Sequence, residues 1–280
     1  MSVLTPVVDH AVINVADRLN EAATLFRRLG FQLTERGNHS LGSSNHLAVL
    51  GENYLELLGY EPGAADLRKA IWTSPPGLNG LVWKTQNADE VWQHLRELGL
   101  ESDEPEQFYR PVTLPHGREQ QARFCTVRLK NGAVANGRSF FCQHLTPDAV
   151  WQREWQRHPN GAANITDFVI AASDPFFAAE VYGQLFGAEW IRRIEGGAAL
   201  TAGVATVRFL KPEAVLAEYG SLPGDFDGSP RMAALGIRTT SAERLRVSLM
   251  AGDIPFTPVN GAYQVKAEDA FNLALRFWCE

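Results

Sequence analysis

The sequence predicts an α+β fold made of four tandem β-α-β-β-β modules. The main observation is an internal repeat, in which VVDHAVINVADRLNEAATLFRRLGF (7–31) matches NITDFVIAASDPFFAAEVYGQLFGA (164–188) without a gap. In both stretches an apolar strand precedes an Asp that can cap a helix, a helical segment, and a Gly that can end the helix. Agreement of the whole pattern at a spacing of 157 positions (7 and 164) indicates an internal duplication.

A second observation is that each half of the chain carries a further, weaker unit. Residues 80–100 and 234–254 each consist of an apolar strand, a helical segment and a Gly stop. The tetrapeptides FFCQ (140–143) and FWCE (277–280) resemble each other and follow these units. We therefore predict that they are copies of one strand, which closes the second and fourth modules.

The spacing of these units predicts two domains. The first domain covers residues 1–146 and the second 163–280, and the four modules cover 1–60, 76–146, 163–212 and 230–280. GENYLELLG and GVATVRFLK, 152 positions apart (51 and 203), are predicted to be the last strands of the first and third modules. Residues 147–162 are predicted to form a linker helix. The helix-start signal Thr-Pro-Asp (146–148) lies at the beginning of this segment, and the turn signal Pro-Asn-Gly (159–161) lies near its end.

The composition restricts the possible partners of the protein. A net charge of −6 and a pI near 5.7 argue against nucleic acid binding, which requires a basic surface. The sequence contains no long apolar run and no signal peptide pattern, so no contact with a membrane is expected. Cys125, Cys142 and Cys279 are too scattered for a disulfide framework, which favours reduced thiols and a cytoplasmic location.

The motifs of the first half resemble those of the vicinal oxygen chelate superfamily, which includes glyoxalase I and the extradiol dioxygenases. VDHAVINVADRLNEAATLFRRLGF and NYLELLG resemble the opening of its glyoxalase-like branch, and RSFFCQHLTP resembles a strand that closes a domain. The resemblance implies two glyoxalase-like domains, each with paired modules that form an open eight-stranded, barrel-like sheet around a cavity. It does not imply one reaction, because chemistry depends on the site.

The resemblance also implies a divalent metal ion on inward-facing residues of the first and last strands of a module. In the first module these residues are His10 and Glu56, which suit Zn, Ni, Mn or Fe. In the second module, residues 82–84 (VWK) include no metal ligand, and the last strand offers only Gln143. The alternative is a buried His–carboxylate hydrogen bond in a cavity without metal.

Four other histidines could complete such a site. His39, His46 and His116 lie in loops or short strands of the first domain. His144 follows Gln143 and points to the opposite face of the strand if alternation holds. His46 and His144 are therefore alternative metal ligands, although each could equally be a structural or surface residue.

The candidates for substrate binding lie mainly in residues 106–124. Tyr109, Arg110 and His116 fall among the later strands and loops of the second module, and Trp83 could form an apolar wall. The Arg110 guanidinium could hold a carboxylate or enolate oxygen. The alternatives are a solvated arginine at a strand edge and ordinary core packing of the tryptophan.

The second domain is predicted to be degenerate. Asp167 and Arg208 occupy the places of His10 and Glu56 at spacings of 157 and 152 positions. Because an arginine cannot bind a cation, we expect a bidentate ion pair between them in place of a metal site. The active cavity is then in the first domain, whereas the resemblance places the iron of two-domain extradiol dioxygenases in the second.

These residues lead to two functional hypotheses. The first is a metal-dependent lyase or isomerase that chelates two adjacent oxygens of a small substrate, with Glu56 as a proton carrier. A ring-cleaving dioxygenase is a further alternative, but it needs two histidines and one carboxylate. The second hypothesis is a metal-free protein that binds or sequesters a small molecule. A homodimer is compatible with either.

Overall fold

The computed structural model describes residues 4–61, 63–67, 69–130 and 132–279. Within these ranges, the first half contains eight strands and three α-helices. The strands are β1 (Val8–Ala16), β2 (Gly37–Asn38), β3 (Ser44–Val49), β4 (Tyr54–Gly59), β5 (Gly77–Thr85), β6 (Glu106–Thr113), β7 (Glu119–Arg128) and β8 (Arg138–His144). The helices are α1 (Leu19–Arg28), α2 (Lys69–Trp72) and α3 (Ala88–Glu97).

The second half repeats this arrangement. Its strands are β9 (Ala162–Ala171), β10 (Ile191–Ile194), β11 (Gly197–Ala202), β12 (Ala205–Leu210), β13 (Arg231–Thr239), β14 (Thr257–Val259), β15 (Ala262–Val265) and β16 (Ala274–Cys279). Its helices are α4 (Pro175–Phe186), α5 (Pro212–Tyr219) and α6 (Ala242–Ala251). Within the described ranges, no helix combines the length and the apolar character that a membrane crossing requires.

The two sheets have the same strand order, which confirms the predicted fold class. The first runs β2-β3-β4-β1-β5-β8-β7-β6 and the second β10-β11-β12-β9-β13-β16-β15-β14. In each sheet the first strands of the two modules pair antiparallel at the centre, and each pairs parallel with the last strand of its module. This is the pairing that two β-α-β-β-β modules related by an approximate two-fold axis require.

The first sheet nearly closes into a barrel. Its edge strands β2 and β6 approach each other, and the Ser40 backbone N–H beyond β2 donates to the Tyr109 carbonyl oxygen on β6 over 2.9 Å. The second sheet keeps β10 and β14 as its edges. Closure matters for function because a nearly closed sheet has an interior that is shielded from water.

One hydrophobic core joins the two sheets. The buried side chains of α1, α3, α4 and α6 belong to it together with the outer faces of both sheets. Trp83 packs on Phe186 with ring centroids 4.7 Å apart, and Phe31 packs on Phe277 at 6.1 Å. The interior of each sheet holds a separate, smaller cluster. The two halves therefore pack back to back, and each keeps its own interior.

Helix capping follows the predicted pattern in only one of the two main repeats. The Asp174 carboxylate accepts from the backbone N–H groups of Phe176 and Phe177 at the start of α4. In contrast, α1 begins after Arg18 without a side-chain cap, so Asp17 does not play the expected part.

FFCQ lies on β8 and the described residues of FWCE lie on β16, which are the last strands of the two sheets in chain order. Their structural equivalence is shifted by one residue relative to the alignment of the two tetrapeptides. Phe141 pairs with Trp83 and Phe277 with Ile237, and all four face the shared core. Phe140, which the sequence aligns with Phe277, instead faces the interior of the first sheet. Glu280, the last residue of the second copy, lies outside the described residues.

Residues 147–162 do not form the expected linker helix. They contain a single 3₁₀ turn, Pro147–Ala149, followed by irregular chain that leads into β9. Gln156 donates from Nε2 to the Leu50 carbonyl oxygen over 2.6 Å, and His158 Nε2 bonds the Val49 carbonyl oxygen at 2.8 Å. These bonds to the first sheet replace the hydrogen bonds that a helix would make within itself.

Candidate functional site

Asp9 and His10 reach the same site because β1 has an irregularity at Asp9. Val8 pairs with Trp83 and His10 with Val82 on β5, which leaves Asp9 without a partner in that register. Such a bulge inserts one extra residue and interrupts the alternation of side chains between the two faces. Two adjacent polar residues therefore contribute to one cluster inside the first sheet.

His10 and Glu56 face each other inside this sheet. Glu56 lies on β4, two positions beyond Tyr54, the residue that pairs with His10. His10 Nε2 and Glu56 Oε2 are 3.6 Å apart, and both residues are buried. The Tyr54 ring stacks on the imidazole with centroids 4.3 Å apart and planes inclined by 13°, which fixes the imidazole plane.

Asp9 connects two imidazoles. Its Oδ2 lies 2.7 Å from His10 Nδ1 and 2.9 Å from His144 Nε2. Burial alone would raise the pKa of Asp9, but the two histidines hold it well below its usual value. The ionised carboxylate accepts a hydrogen bond from His10 Nδ1, so that in the neutral imidazole the Nε2 lone pair is directed toward Glu56.

Glu56 also contacts the strands on its other side. Asn45 on β3 donates from Nδ2 to Glu56 Oε1 over 2.7 Å, and the same Nδ2 lies 3.1 Å from His39 Nε2. His39 Nε2 is 3.9 Å from Glu56 Oε1, and its Nδ1 is 2.8 Å from the Ser43 hydroxyl. A second imidazole therefore lies on the far side of the carboxylate from His10.

The site strongly perturbs its titratable groups. Burial lowers the pKa of His10, but the bond to Asp9 and the nearby Glu56 carboxylate outweigh it and raise the pKa above its usual value. Burial raises the pKa of Glu56, yet His10, His39 and Asn45 together lower it to about 2. Both carboxylates are thus ionised at neutral pH in a buried, low-dielectric environment.

A further cluster of potential ligands adjoins the site. Atoms of Asp9, Cys142 and His144 lie within 4.8 Å of one another. Burial and the carboxylates of Asp9 and Glu56 raise the pKa of the Cys142 thiol well above its usual value. A thiol must lose its proton to bind a metal, which burial beside two carboxylates opposes as long as no cation is bound.

The cavity beside these residues is small, and it includes a buried arginine. It has a volume of about 40 Å³, and its walls include His10, His39, Glu56 and Arg110. An open groove of about 440 Å³ lies on the other side of Arg110, which lines both spaces. Arg110 therefore lies where a molecule in the groove meets the inner cavity.

Gln143 and His46, two of the residues predicted as metal ligands, lie outside the cavity. Gln143 accepts from the Ala88 backbone N–H at the start of α3, because strand alternation turns it to the helix side while His144 faces the interior. His46 bonds the Thr34 carbonyl oxygen at 2.8 Å on that same outer side.

Three of the predicted substrate-binding residues also point away from the cavity. Tyr109 is 42 % exposed on the outer face of β6, next to the buried Arg110. The His116 side chain is 76 % exposed in the turn before β7. Trp83 is buried in the core between the sheets, where its indole N–H donates to the Ser139 hydroxyl over 2.8 Å. Only Arg110 among these candidates reaches the site.

The corresponding residues of the second sheet form a different network. Arg208 Nη1 is 3.9 Å from Asp167 Oδ1, longer than the expected bidentate contact. Arg208 instead makes its bidentate pair with Glu218 on α5, with distances of 2.6 and 2.8 Å. Burial raises the pKa of Asp167 despite the neighbouring Arg208. The predicted ion pair is therefore wrong in its geometry, because α5 supplies a closer carboxylate.

Three residues of the site were not predicted from the sequence: Asp9, Asn45 and Tyr54. The acid beside the histidine in VVDH was visible, but ordinary alternation would turn it to the opposite face. Asn45 and Tyr54 carry no local signal, because their role depends on which strands lie beside β4.

A family model for the glyoxalase-like domain matches residues 8–186, which is more than half of the 280 residues. The chain therefore belongs to the glyoxalase-like domain family, within the vicinal oxygen chelate superfamily. A search of curated proteins finds no match to the sequence.

Solved structures show the same fold at low sequence identity. A hypothetical protein from Staphylococcus aureus is 13 % identical with a TM-score of 0.68, over 98 % of this chain and 99 % of that one. A triple mutant of 4-hydroxymandelate synthase from Streptomyces coelicolor is 13 % identical with a TM-score of 0.60, over 98 % and 92 %. A xylose isomerase-like TIM barrel/4-hydroxyphenylpyruvate dioxygenase fusion protein is 11 % identical with a TM-score of 0.62, over 99 % and 49 %.

Proposed function

We propose that this protein is a metal-dependent lyase or isomerase whose first domain binds a small, oxygen-chelating substrate at His10 and Glu56. The observation that carries the proposal is the 3.6 Å separation of His10 Nε2 and Glu56 Oε2. This distance is too long for a hydrogen bond. Two ligands about 2.0–2.2 Å from one metal ion lie roughly 3–3.5 Å apart, which is close to that separation.

The surroundings of the two residues support a cation. Asp9 fixes the His10 tautomer that offers Nε2, as the carboxylates behind metal-bound histidines commonly do. Neither Val82 nor Phe140 on the inner faces of β5 and β8 can act as a ligand. His39, 3.9 Å from Glu56, is the nearest candidate for a third.

A divalent cation bound there would polarise two adjacent substrate oxygens as a Lewis acid. The chain itself contributes orientation and proton transfer. Because the pKa of Glu56 is lowered to about 2, its carboxylate stays ionised and free to accept a proton at neutral pH. It is a weak base at that pKa, so it suits only a C–H bond that the adjacent oxygens have already acidified.

His39 gives a dioxygenase a specific argument as the second candidate. With His10 and Glu56 it provides two histidines and one carboxylate, the ligand set typical of non-haem iron oxygenases. Its Nε2 is 3.1 Å from the Asn45 amide, so metal binding would require that amide to turn away. We therefore place this candidate after the lyase or isomerase.

The metal-free alternative is supported by Val82 and Phe140, interior residues of β5 and β8 that offer no metal ligand. If His10 and Glu56 act only as a pair of polar groups, the first domain would hold a small molecule without turnover. Both functions are consistent with a cytoplasmic protein, the location that we propose from its three free cysteines.

Elemental analysis of protein purified without chelator tests the proposal. We expect about one equivalent of a transition metal in the parent and almost none in His10→Ala or Glu56→Gln. His116→Ala serves as the control, because it removes an exposed histidine remote from the cavity. His39→Ala distinguishes the candidates, since loss of iron and of iron-dependent oxygen uptake would favour the dioxygenase.

Two results would contradict the proposal. The first is a parent protein without metal that also takes up none of Zn, Ni, Mn or Fe in solution. The second is full metal retention in Glu56→Gln, a variant of nearly unchanged shape. If His10→Ala unfolds while Glu56→Gln stays folded and keeps its metal, His10 is a structural residue.

A further inference from the structure

We infer that Arg110 is a subsite for a planar carboxylate, so that the substrates of this protein are small carboxylic acids. The inference rests on the proposed function only in taking the bound acid to be the substrate. The anion site itself follows from two guanidinium nitrogens without hydrogen-bond partners and from the position of Arg110 between the inner cavity and the groove.

Arg110 is a buried cation whose own chain supplies little to balance it. The residue is 1 % exposed, and neither Nε nor Nη2 has a hydrogen-bond partner. Buried charges and buried polar groups are costly unless they are paired. The carboxylate nearest in the cavity wall, Glu56, is already engaged by Asn45 and faces His10.

The two unpartnered nitrogens define the shape of the missing partner. Nε–H and one Nη2–H of a guanidinium point the same way from one edge, and this edge matches the two oxygens of a carboxylate. The opposite side of the group is closed by β2: a Cβ atom on Gly37 would lie 2.5 Å from Nη1 and 2.8 Å from Cδ. Gly37 therefore leaves room for Arg110, and contact with β2 limits its orientation.

Arg110 lies close to the proposed metal ligands, because all three residues line the same cavity. The residue lines the inner cavity together with His10 and Glu56, and it also lines the groove of about 440 Å³. The inner cavity of about 40 Å³ has room for little more than an ion or one to two waters. A substrate with an acid group on Arg110 would thus keep its reactive oxygens near His10 and Glu56 while its remainder occupies the groove.

Calorimetric titration of the full chain tests the subsite with acetate, pyruvate, methyl pyruvate and inorganic phosphate as probes. We expect acetate or pyruvate to bind, pyruvate to bind better than its uncharged methyl ester, and phosphate to bind less well than the acids. Arg110→Lys keeps the charge but loses the two-pronged edge, so affinity should fall about tenfold. Arg110→Met should lower it by about a hundredfold.

Two further variants separate the subsite from general charge effects. Gly37→Ala should weaken binding of the acids by displacing Arg110 without any change of charge. Arg123→Met removes an exposed arginine on the neighbouring strand and should bind the acids like the parent. Unfolding temperature and metal content are measured for every variant, and both should stay near the parent values in Arg110→Lys.

The outcomes also distinguish the subsite from the proposed function. Binding of acid that depends on Arg110, in a protein that neither contains metal nor takes up Zn, Ni, Mn or Fe, would support the subsite and overturn the metal-dependent enzyme. Metal retention with no Arg110-dependent binding of either acid would overturn the subsite alone. Tighter binding of phosphate than of the acids, or equal binding by Arg110→Lys and the parent, would overturn the carboxylate assignment.

Discussion

The two halves of this protein share one topology but differ at the same pair of positions. The first sheet carries His10 and Glu56 on its first and fourth strands, whereas the second carries Asp167 and Arg208 on β9 and β12. The facing atoms of the first pair are 3.6 Å apart, and the second pair contains an obligate cation. At the place of the proposed cation site, the second sheet therefore carries a positive charge of the protein itself.

The connector after the last strand of each domain's first module differs between the two halves. In the second half, α5 sends Val215 and Tyr219 into the interior and brings Glu218 to Arg208. In the first half, the described residues of the corresponding connector form the short α2, and a cavity remains beside His10. Equal strand order therefore does not imply equal sites, because one connector helix can supply a new ion-pair partner.

The largest effect that would sharpen this comparison is expected at Asp9. Asp9→Asn removes the anion that accepts from His10 and His144, so His10 loses its fixed tautomer. Loss of such a supporting carboxylate typically lowers metal affinity about 10- to 100-fold. Competition against a chromophoric chelator measures the change. Thr166→Val, at the corresponding place in the second sheet, should leave affinity unchanged; equal losses in both variants would contradict the local role of Asp9.

The next effect concerns the ion pair of the second half. Arg208→Met leaves Glu218 and Asp167 without their cation, and we expect a loss of about 1–3 kcal/mol in the free energy of unfolding, between the values for exposed and fully buried pairs. Urea denaturation measures it. A double-mutant cycle should assign most of the coupling to Glu218. Stronger coupling of Arg208 to Asp167 than to Glu218 would restore the pairing expected from the sequence.

The smallest effect is expected at Asp167 and depends on pH. Burial raises the pKa of Asp167 above 3.8, so its protonated form stabilises the folded state below that pH, and this contribution is lost as pH rises through the folded pKa. Asp167→Asn should therefore be slightly more stable than the parent at pH 7, with a difference that shrinks in acid. Thermal unfolding from pH 3 to 7 measures the trend. A variant less stable at pH 7 would mean that the charge of Asp167 is needed by Arg208.

Much of the fold was predictable because hydrophobic periodicity and helix-ending glycines repeat at a constant spacing along the chain. Spacings of 157 and 152 positions relate His10 to Asp167 and Glu56 to Arg208. Both predictions concern residues that occupy equivalent positions in a repeated module. Equivalent positions can be found from the sequence alone, because each module repeats the same local pattern of apolar residues and turns.

The errors of prediction share a physical cause. Gln143 and His144 were assigned to the wrong faces of β8, because the register of that strand could not be read from its sequence and a slip of one residue exchanges the two faces of a strand. The linker was expected to be a helix because its local signals favour one, but hydrogen bonds to β3 and its following turn hold it in irregular form.

The sequence by itself determined the duplicated modules, their order, and the two residues that face each other in the first interior. Only the tertiary structure decided that Asp9 joins His10 through a bulge, that Nε and Nη2 of Arg110 lie buried without a hydrogen-bond partner, and that Glu218 takes Arg208 from Asp167. The reason is that periodic patterns record which face of an element is buried. Bulges, cross-strand neighbours and ion-pair partners depend instead on elements distant in the chain, whose distances are set only when the sheets close and pack.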